Sequence, residues 1–229
     1  MKPWVLLDSA PIPGGGELHL YQHVRDYAIR VGRDELMNSH SHGSEEALAG
    51  LAHARLPFHG PVHALIGGLG MGFTVAAALR VLGPGDRVTV AELVPAVVAW
   101  NRGVLAAVAG HPLDDPRVGV QVGDVADLLR CARAAYDLVL LDVDNGPHGM
   151  TTGANHWLYG VAGLKAAHAA LRPGGVLAVW SSGPDEAFTR RLRQVGFTVE
   201  CVRVHAHGTR GPRHVIWLAM RDGRADARR

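Results

Sequence analysis

Ala64-Leu-Ile-Gly67-Gly68-Leu-Gly70-Met-Gly72-Phe-Thr74 decides the fold of this chain. An apolar strand, Val62–Ile66, runs into a glycine-rich turn, and a helical stretch, Thr74–Leu82, follows. Strand, tight turn and helix start together form the first half of a βαβ unit. Glycine permits positive φ and lets the backbone come close to a ligand, while the helix start offers unpaired N–H groups. The spacing at Gly68, Gly70 and Gly72 is G-x-G-x-G, which is not the G-x-G-x-x-G of dinucleotide-binding turns.

Downstream of this turn the same texture repeats. Arg87–Ala91, Gly119–Val122, Tyr136–Leu141 and Val176–Trp180 read as buried strands. Val94–Ala109, Val125–Ala134, His156–Leu171 and Asp185–Val195 read as the helices between and after them. Strands that are apolar throughout, alternating with helices, imply a parallel sheet covered on both faces. Thr198–Val204 and Arg213–Met220, joined through Gly208–Gly211, read as a closing antiparallel hairpin. The expected fold is therefore α/β: a Rossmann-like, doubly wound, mostly parallel seven-stranded sheet with an antiparallel C-terminal hairpin. Upstream, residues 1–43 lack a helical period and form a small β unit with strands at Glu17–Tyr21, Tyr27–Val31 and Glu35–Met37. Ser44, followed by Glu45 and Glu46, is expected to cap the first helix, which ends at Pro57. The division expected is 1–43 for the β unit, 44–220 for the Rossmann-like domain and 221–229 for a flexible tail.

Carboxylates stand where such a sheet binds ligands, at the carboxyl ends of its strands. Glu92 ends the second core strand about 20 residues past the glycines, where an acid accepts ribose hydroxyls. Asp124 ends the third strand and suits an adenine amino group; it also suits a helix N-cap. Tyr136–Leu141, the most uniformly apolar strand, runs into Asp142-Val-Asp144-Asn145-Gly-Pro147-His148. Glycines and acids together point to a nucleoside ligand. Trp157, Tyr159 and Trp180 are expected near the edge of its pocket, whereas Trp100 and Trp217 read as core.

Composition narrows the alternatives. The chain has 229 residues, 48% hydrophobic and 19% charged, enough for a sizeable core. Its formal net charge is +2, and Arg221–Arg229 alone carries four Arg and two Asp, so the body is nearly neutral. Without a basic stripe, a nucleic-acid partner is disfavoured. No apolar run approaches the ~20 residues of a membrane span, and the N-terminus carries no signal-peptide core. Cys131 and Cys201 cannot build a disulfide framework, which fits a cytoplasmic protein.

Gly-Gly-Leu-Gly-Met-Gly-Phe-Thr, Glu92, Gly-Asp124, Asp142-Val-Asp144-Asn145 and Leu171-Arg-Pro-Gly-Gly-Val-Leu-Ala-Val occur in an order that resembles a class I S-adenosylmethionine-dependent methyltransferase. The branch it resembles is the spermidine/spermine synthase, or polyamine aminopropyltransferase, family, over roughly residues 17–220. Leu36–Glu45 resembles that family's segment ahead of its first helix. The resemblance implies that Gly68, Leu69, Gly70, Gly72, Glu92, Leu93, Asp124, Val125 and Asp142 bind S-adenosylmethionine or its decarboxylated form. It also implies that Asp142 helps deprotonate the attacking group; on their own chemistry, Asp144 at the same strand end and His148 and His42 as neutral-pH bases are further catalytic candidates.

The pattern departs from the family in places. Its Asp-Ser-Ser-Asp-Pro reads Asp142-Val-Asp144-Asn145-Gly146 here, its Glu-Phe-Tyr reads Gly160-Val-Ala-Gly163, and Trp180 stands for a Gln. Its Tyr-His-Glu in the first helix is replaced by apolar residues. Methyl transfer to a small-molecule acceptor is accordingly the preferred reading. Aminopropyl transfer and a non-catalytic adenosyl-binding protein are the alternatives; the glycine spacing and Asp124 argue against an NAD-dependent oxidoreductase. His40 and His156 join His42 and His148 as candidate bases, since histidine titrates near neutral pH. No Cys/His spacing supports zinc, a metal held by His40, His42 and an acid is a minor alternative, and a homodimer is left open.

Overall fold

The computed structural model describes residues 3–57, 60–143, 147, 154–207 and 210–223. Four antiparallel strands open the chain: β1 (Val5–Pro11), β2 (Glu17–His23), β3 (Asp26–Val31) and β4 (Asp34–Asn38), paired in that order. Leu18 and Leu20 of β2 and Ile29 of β3 share one face and join the core; Ala28 is buried on the other face. β1 is absent from the sequence reading. Its apolar residues Val5, Leu6 and Leu7 are exposed, so its hydrophobicity has no alternation to betray a half-buried strand. Its ladder with β2 and a bond from the Trp100 indole Nε1 to Asp8 Oδ2, 2.6 Å, hold it in place.

Helix α1 (Gly43–His53) follows. Its N-cap is His42 rather than the expected Ser44, and no side chain makes the capping bond. The Ser44 hydroxyl is buried and donates instead to Glu45 Oε2 at 2.6 Å. Ser44 is already the second residue of the helix, which begins at Gly43, ahead of the expected cap.

The second sheet comprises β5 (His63–Gly67), β6 (Arg87–Glu92), β7 (Val118–Val122), β8 (Tyr136–Leu141), β9 (Leu171–Ser181), β10 (Phe197–His207) and β11 (Arg210–Arg221). Its order is β10-β11-β9-β8-β5-β6-β7. The pairs β5/β6, β6/β7, β5/β8 and β8/β9 are parallel, while β9/β11 and β10/β11 are antiparallel. This is the expected Rossmann-like sheet with its closing hairpin. Between β5 and β8 the strand order reverses, which opens a crevice at their carboxyl ends.

Every residue of β8 is buried, as befits a central strand covered on both faces. Leu138 and Leu140 face a core shared with α1, α2 (Phe73–Val81) and α3 (Pro95–Arg102). Val139 and Leu141 face the opposite core, against α4 (Val125–Cys131), α6 (Val161–Ala170) and α7 (Glu186–Val195). Several expected helices are shorter in the structure: the first ends at His53 rather than Pro57, and Val125–Ala134 ends at Cys131. Val94–Ala109 stops at Arg102, because Gly103 leaves helical dihedrals, and 3₁₀ turns at Ala106–Val108 and Pro112–Asp114 follow. His156–Leu171 divides at Gly160 into α5 (Ala154–Leu158) and α6; a Cβ at Gly160 would lie 2.8 Å from the His156 carbonyl oxygen. Leu171 itself opens β9.

Arg221, placed in the tail by the sequence reading, ends β11 and donates to the carbonyls of His168 and Leu171. Residues 224–229 of that tail lie outside the described residues. Trp100 and Trp217 are buried as expected. Trp217 is fully enclosed, meets Phe188 edge-on at 4.9 Å and donates to Thr189 Oγ1 at 2.9 Å. Trp217→Ala should therefore lower unfolding free energy by about 3–5 kcal/mol, measured by chemical denaturation, through lost burial and a residual cavity.

Candidate active site

The cleft lies above the strand reversal and is roofed by the N-terminal sheet. Ile12, Leu18, Ile29, Leu36 and Met37 supply the apolar roof. The carboxyl ends of the core strands supply the floor: Gly68 and Gly70 after β5, Glu92 and Leu93 at β6, Asp124 and Val125 after β7, Asp142 and Val143 after β8. Glu45 from α1 and Trp180 from β9 complete the walls.

Glycine is required at the two floor positions after β5. Gly68 has φ +88°, and a Cβ there would sit 2.3 Å from the Asp142 carbonyl oxygen. Gly70 has φ +53°, and a Cβ there would meet the Met37 side chain at 2.6 Å. The first contact packs the β5 turn against the end of β8; the second seats the roof on the turn. Gly72 serves α2 instead, as its left-handed N-cap beside Pro112 and Asn101. The Leu69 side chain is buried in the core, and only its backbone serves the site.

Two acids of the cleft are treated differently. Glu92 is buried and accepts from the Leu69 N–H and the Val94 N–H, both at 2.8 Å. Burial raises its pKa, and these backbone bonds pull it back down. Among the described residues, Asp142 receives only the Thr74 hydroxyl, which donates to Oδ2 at 2.6 Å. Burial, then the nearby Glu45 charge, push its pKa up to about 7, against the downward pull of Thr74. Asp124 caps α4, its Oδ1 accepting from the Ala126 N–H at 2.8 Å, and still lines the cleft.

The sequence candidates thus divide. Gly68, Gly70, Glu92, Leu93, Asp124, Val125 and Asp142 come together in one cleft. His42 stacks on Phe73 at 4.1 Å with its Nδ1 3.2 Å from Glu46 Oε1, outside the lining. His40 is exposed and pairs with Asp26 at 3.1 Å, and His156 is exposed on α5. Asp144 and His148 lie outside the described residues. Of the three pocket-edge aromatics, Trp180 lines the cleft. Tyr159 acts from behind, donating to the Val143 carbonyl at 3.1 Å, and Trp157 packs under Arg130. The sequence reading missed Glu45, because two acids in a first turn read as ordinary helix-dipole complements. It also missed Met37 and Thr74. Among the described residues, no group of three His, Cys, Asp or Glu could hold a metal ion, and no helix is long and apolar enough to cross a membrane.

The cleft fits an adenosyl ligand on its own chemistry. Side-chain-free turns border it, a buried carboxylate ends the second core strand, and a second acid caps α4. The crystal structure of spermidine synthase from Thermotoga maritima matches with a TM-score of 0.77 and 17% identity, over 96% of this chain and 74% of that one. The fold is that of the spermidine synthases. Polyamine aminopropyltransferase of Mycobacterium tuberculosis is 33% identical over 147 residues, which is 60% of this chain and 27% of the relative. The chain thus spans about a quarter of the curated relatives it matches. Human methyltransferase-like protein 13, solved with SAH, matches with a TM-score of 0.58 and 19% identity, over 82% and 85% of the two chains. No family model matches the chain. The resemblance to the spermidine/spermine synthase branch of the methyltransferase superfamily holds in both sequence and fold.

The raised Asp142 pKa has a consequence for stability. An Asp ionises near 3.9 when unfolded, and Asp142 ionises at about 7 when folded. The folded state therefore binds the extra proton between these values, and this contribution is full below the lower value and lost as pH rises through the upper one. Asp142→Asn keeps an acceptor for Thr74 and cannot ionise. It should match the wild type near pH 4 and exceed it by on the order of 1–3 kcal/mol above pH 8. Thermal unfolding across that range measures the difference.

Proposed function

We propose that the chain is a transferase that binds an adenosyl sulfonium ligand and transfers its aminopropyl group to a small amine acceptor. The observation that carries this reading is Asp142. It sits at the strand reversal, faces the cleft and titrates at about 7. A carboxyl tuned close to neutral pH is suited to take a proton from an amine, because general-base efficiency peaks when the pKa lies near the working pH. The roof over the floor acids is apolar, which lowers the polarity around the reacting end.

The similarity to a polyamine aminopropyltransferase, together with the spermidine synthase fold, supports aminopropyl transfer over the methyl transfer that the sequence reading preferred. Decarboxylated S-adenosylmethionine is accordingly the ligand favoured here. When bound, it supplies an electrophilic carbon beside the sulfonium. Glu92 would accept the ribose hydroxyls and Asp124 would face the adenine. Gly68 and Gly70 would leave room for the chain that bears the sulfur. Asp142 would then meet the acceptor nitrogen.

Calorimetry against decarboxylated S-adenosylmethionine, S-adenosylmethionine, S-adenosylhomocysteine and methylthioadenosine tests the reading. The decarboxylated ligand should bind more tightly than S-adenosylmethionine, and the reverse order would restore methyl transfer. Glu92→Ala should weaken every adenosyl ligand by about 1–3 kcal/mol, since donors in the loop and on the ribose lose their partner. Equal affinity would remove the nucleoside assignment. Asp142→Asn should lower turnover about 10²-fold or more, the scale of a lost general base. Full turnover in that variant would place the base elsewhere.

A further inference from the structure

Glu45 stands opposite Asp142 and has no role in the reading so far. It lies in the first turn of α1, lines the cleft and accepts from the buried Ser44 hydroxyl at 2.6 Å. Asp142 is fixed in the same manner by the buried Thr74 hydroxyl, also at 2.6 Å. A buried hydroxyl therefore holds each carboxylate in place. The next residue, Glu46, turns away to Arg80 at 3.3 Å and His42 at 3.2 Å. Neither Glu45 nor Asp142 has a Lys or Arg partner among the described residues. Two uncompensated carboxylates facing one cleft repel each other, and that repulsion is relieved only by a proton or a cation.

The third wall suits a cation as well. Trp180 lines the cleft and stacks on His214 of β11, with ring centroids 4.8 Å apart. The Trp180 Nε1 and the His214 Nδ1 are buried without a hydrogen-bond partner among the described residues. Burial lowers the His214 pKa against an opposing pull from Glu45. A neutral imidazole leaves the aromatic wall uncharged, so it does not repel an ammonium. An indole face beside a carboxylate pair attracts one.

We propose that Glu45 is a second functional acid of this site, holding the ammonium head of the acceptor beside Trp180 while Asp142 takes its proton. This rests on the transferase reading above. In the step, one N–H bond of the ammonium breaks and an O–H bond forms on Asp142. The electron pair stays on nitrogen, which becomes the nucleophile, and Glu45 remains ionised next to it. The groups that face Glu45 are Asp142 from the end of β8, His214 from β11 and Ser44 from its own helix.

The test uses the full chain, with and without saturating methylthioadenosine, and two probes of nearly equal shape, benzylamine and benzyl alcohol. Binding is read by calorimetry at pH 7, and the Asp142 carboxyl is followed by carbon NMR through a pH titration. The wild type should bind the amine at least tenfold more tightly than the alcohol. Glu45→Gln should abolish that preference, leave methylthioadenosine affinity unchanged and move the Asp142 midpoint downward, because the opposing charge is gone. Glu45→Asp, which keeps the charge, should retain the preference. An amine preference that survives Glu45→Gln, a midpoint that stays in place, or no preference in the wild type would each overturn the proposal. Loss of methylthioadenosine binding in the wild type, with the amine preference intact in the free protein, would instead overturn the transferase reading alone.

Discussion

The peptide of Asp142 lies against the first glycine of the β5 turn so closely that no side chain fits between them. The Asp142 N–H donates to the Gly67 carbonyl at 3.0 Å, and a Cβ on Gly68 would sit 2.3 Å from the Asp142 carbonyl oxygen. This contact joins the two central strands at the point where the sheet reverses direction. It lets the turn after β5 and the acid after β8 border one space rather than two. The third member arrives by the same means, since the Gly68 N–H donates to the Ala91 carbonyl, one residue before Glu92. A larger residue at position 68 would push these strand ends apart and separate the acids that define the cleft.

The N-terminal sheet turns this open edge into an enclosed one. Met37 packs on Gly70, and the Trp100 indole ties β1 to α3 through Asp8. The roof is apolar, and its effect on the floor is electrostatic. Removing water from above Asp142 disfavours its charged form, and this burial is the largest cause of its raised pKa. The β unit and Asp142 of the other sheet thus line one pocket.

Most of the core was legible because burial on both faces writes an unbroken apolar run, as in Tyr136–Leu141, and such runs survive without knowledge of their partners. The cofactor-side acids were legible for a related reason, since each ends such a run. What was lost follows a different rule. Residues whose role depends on a distant element carry no local signal. Glu45 reads as a first-turn acid, Thr74 as a helix-starting residue, and Met37 as one apolar position in a short strand. His42, read as a candidate base beside a helix start, stacks on Phe73 with Nδ1 3.2 Å from Glu46 Oε1 and lies outside the cleft lining. β1 was missed because its apolar residues face outward. The helix ends were overrun at Gly103 and Gly160, where a single missing side chain interrupted an otherwise helical pattern.

Glu92 and Asp142 show how one cleft gives the same functional group two roles. Burial raises the pKa of both. For Glu92 the opposition comes from backbone N–H groups that are fixed by the fold and cannot leave. Such donors favour the ionised form and work against burial, which remains the larger influence. For Asp142 the opposition is a single hydroxyl, and the neighbouring Glu45 charge adds to burial rather than opposing it. Its two protonation states are therefore close in free energy near neutral pH, the condition under which a carboxyl can both take and release a proton. The two acids thus differ in what is aimed at them: backbone N–H groups for Glu92, one side-chain hydroxyl and a neighbouring carboxylate for Asp142.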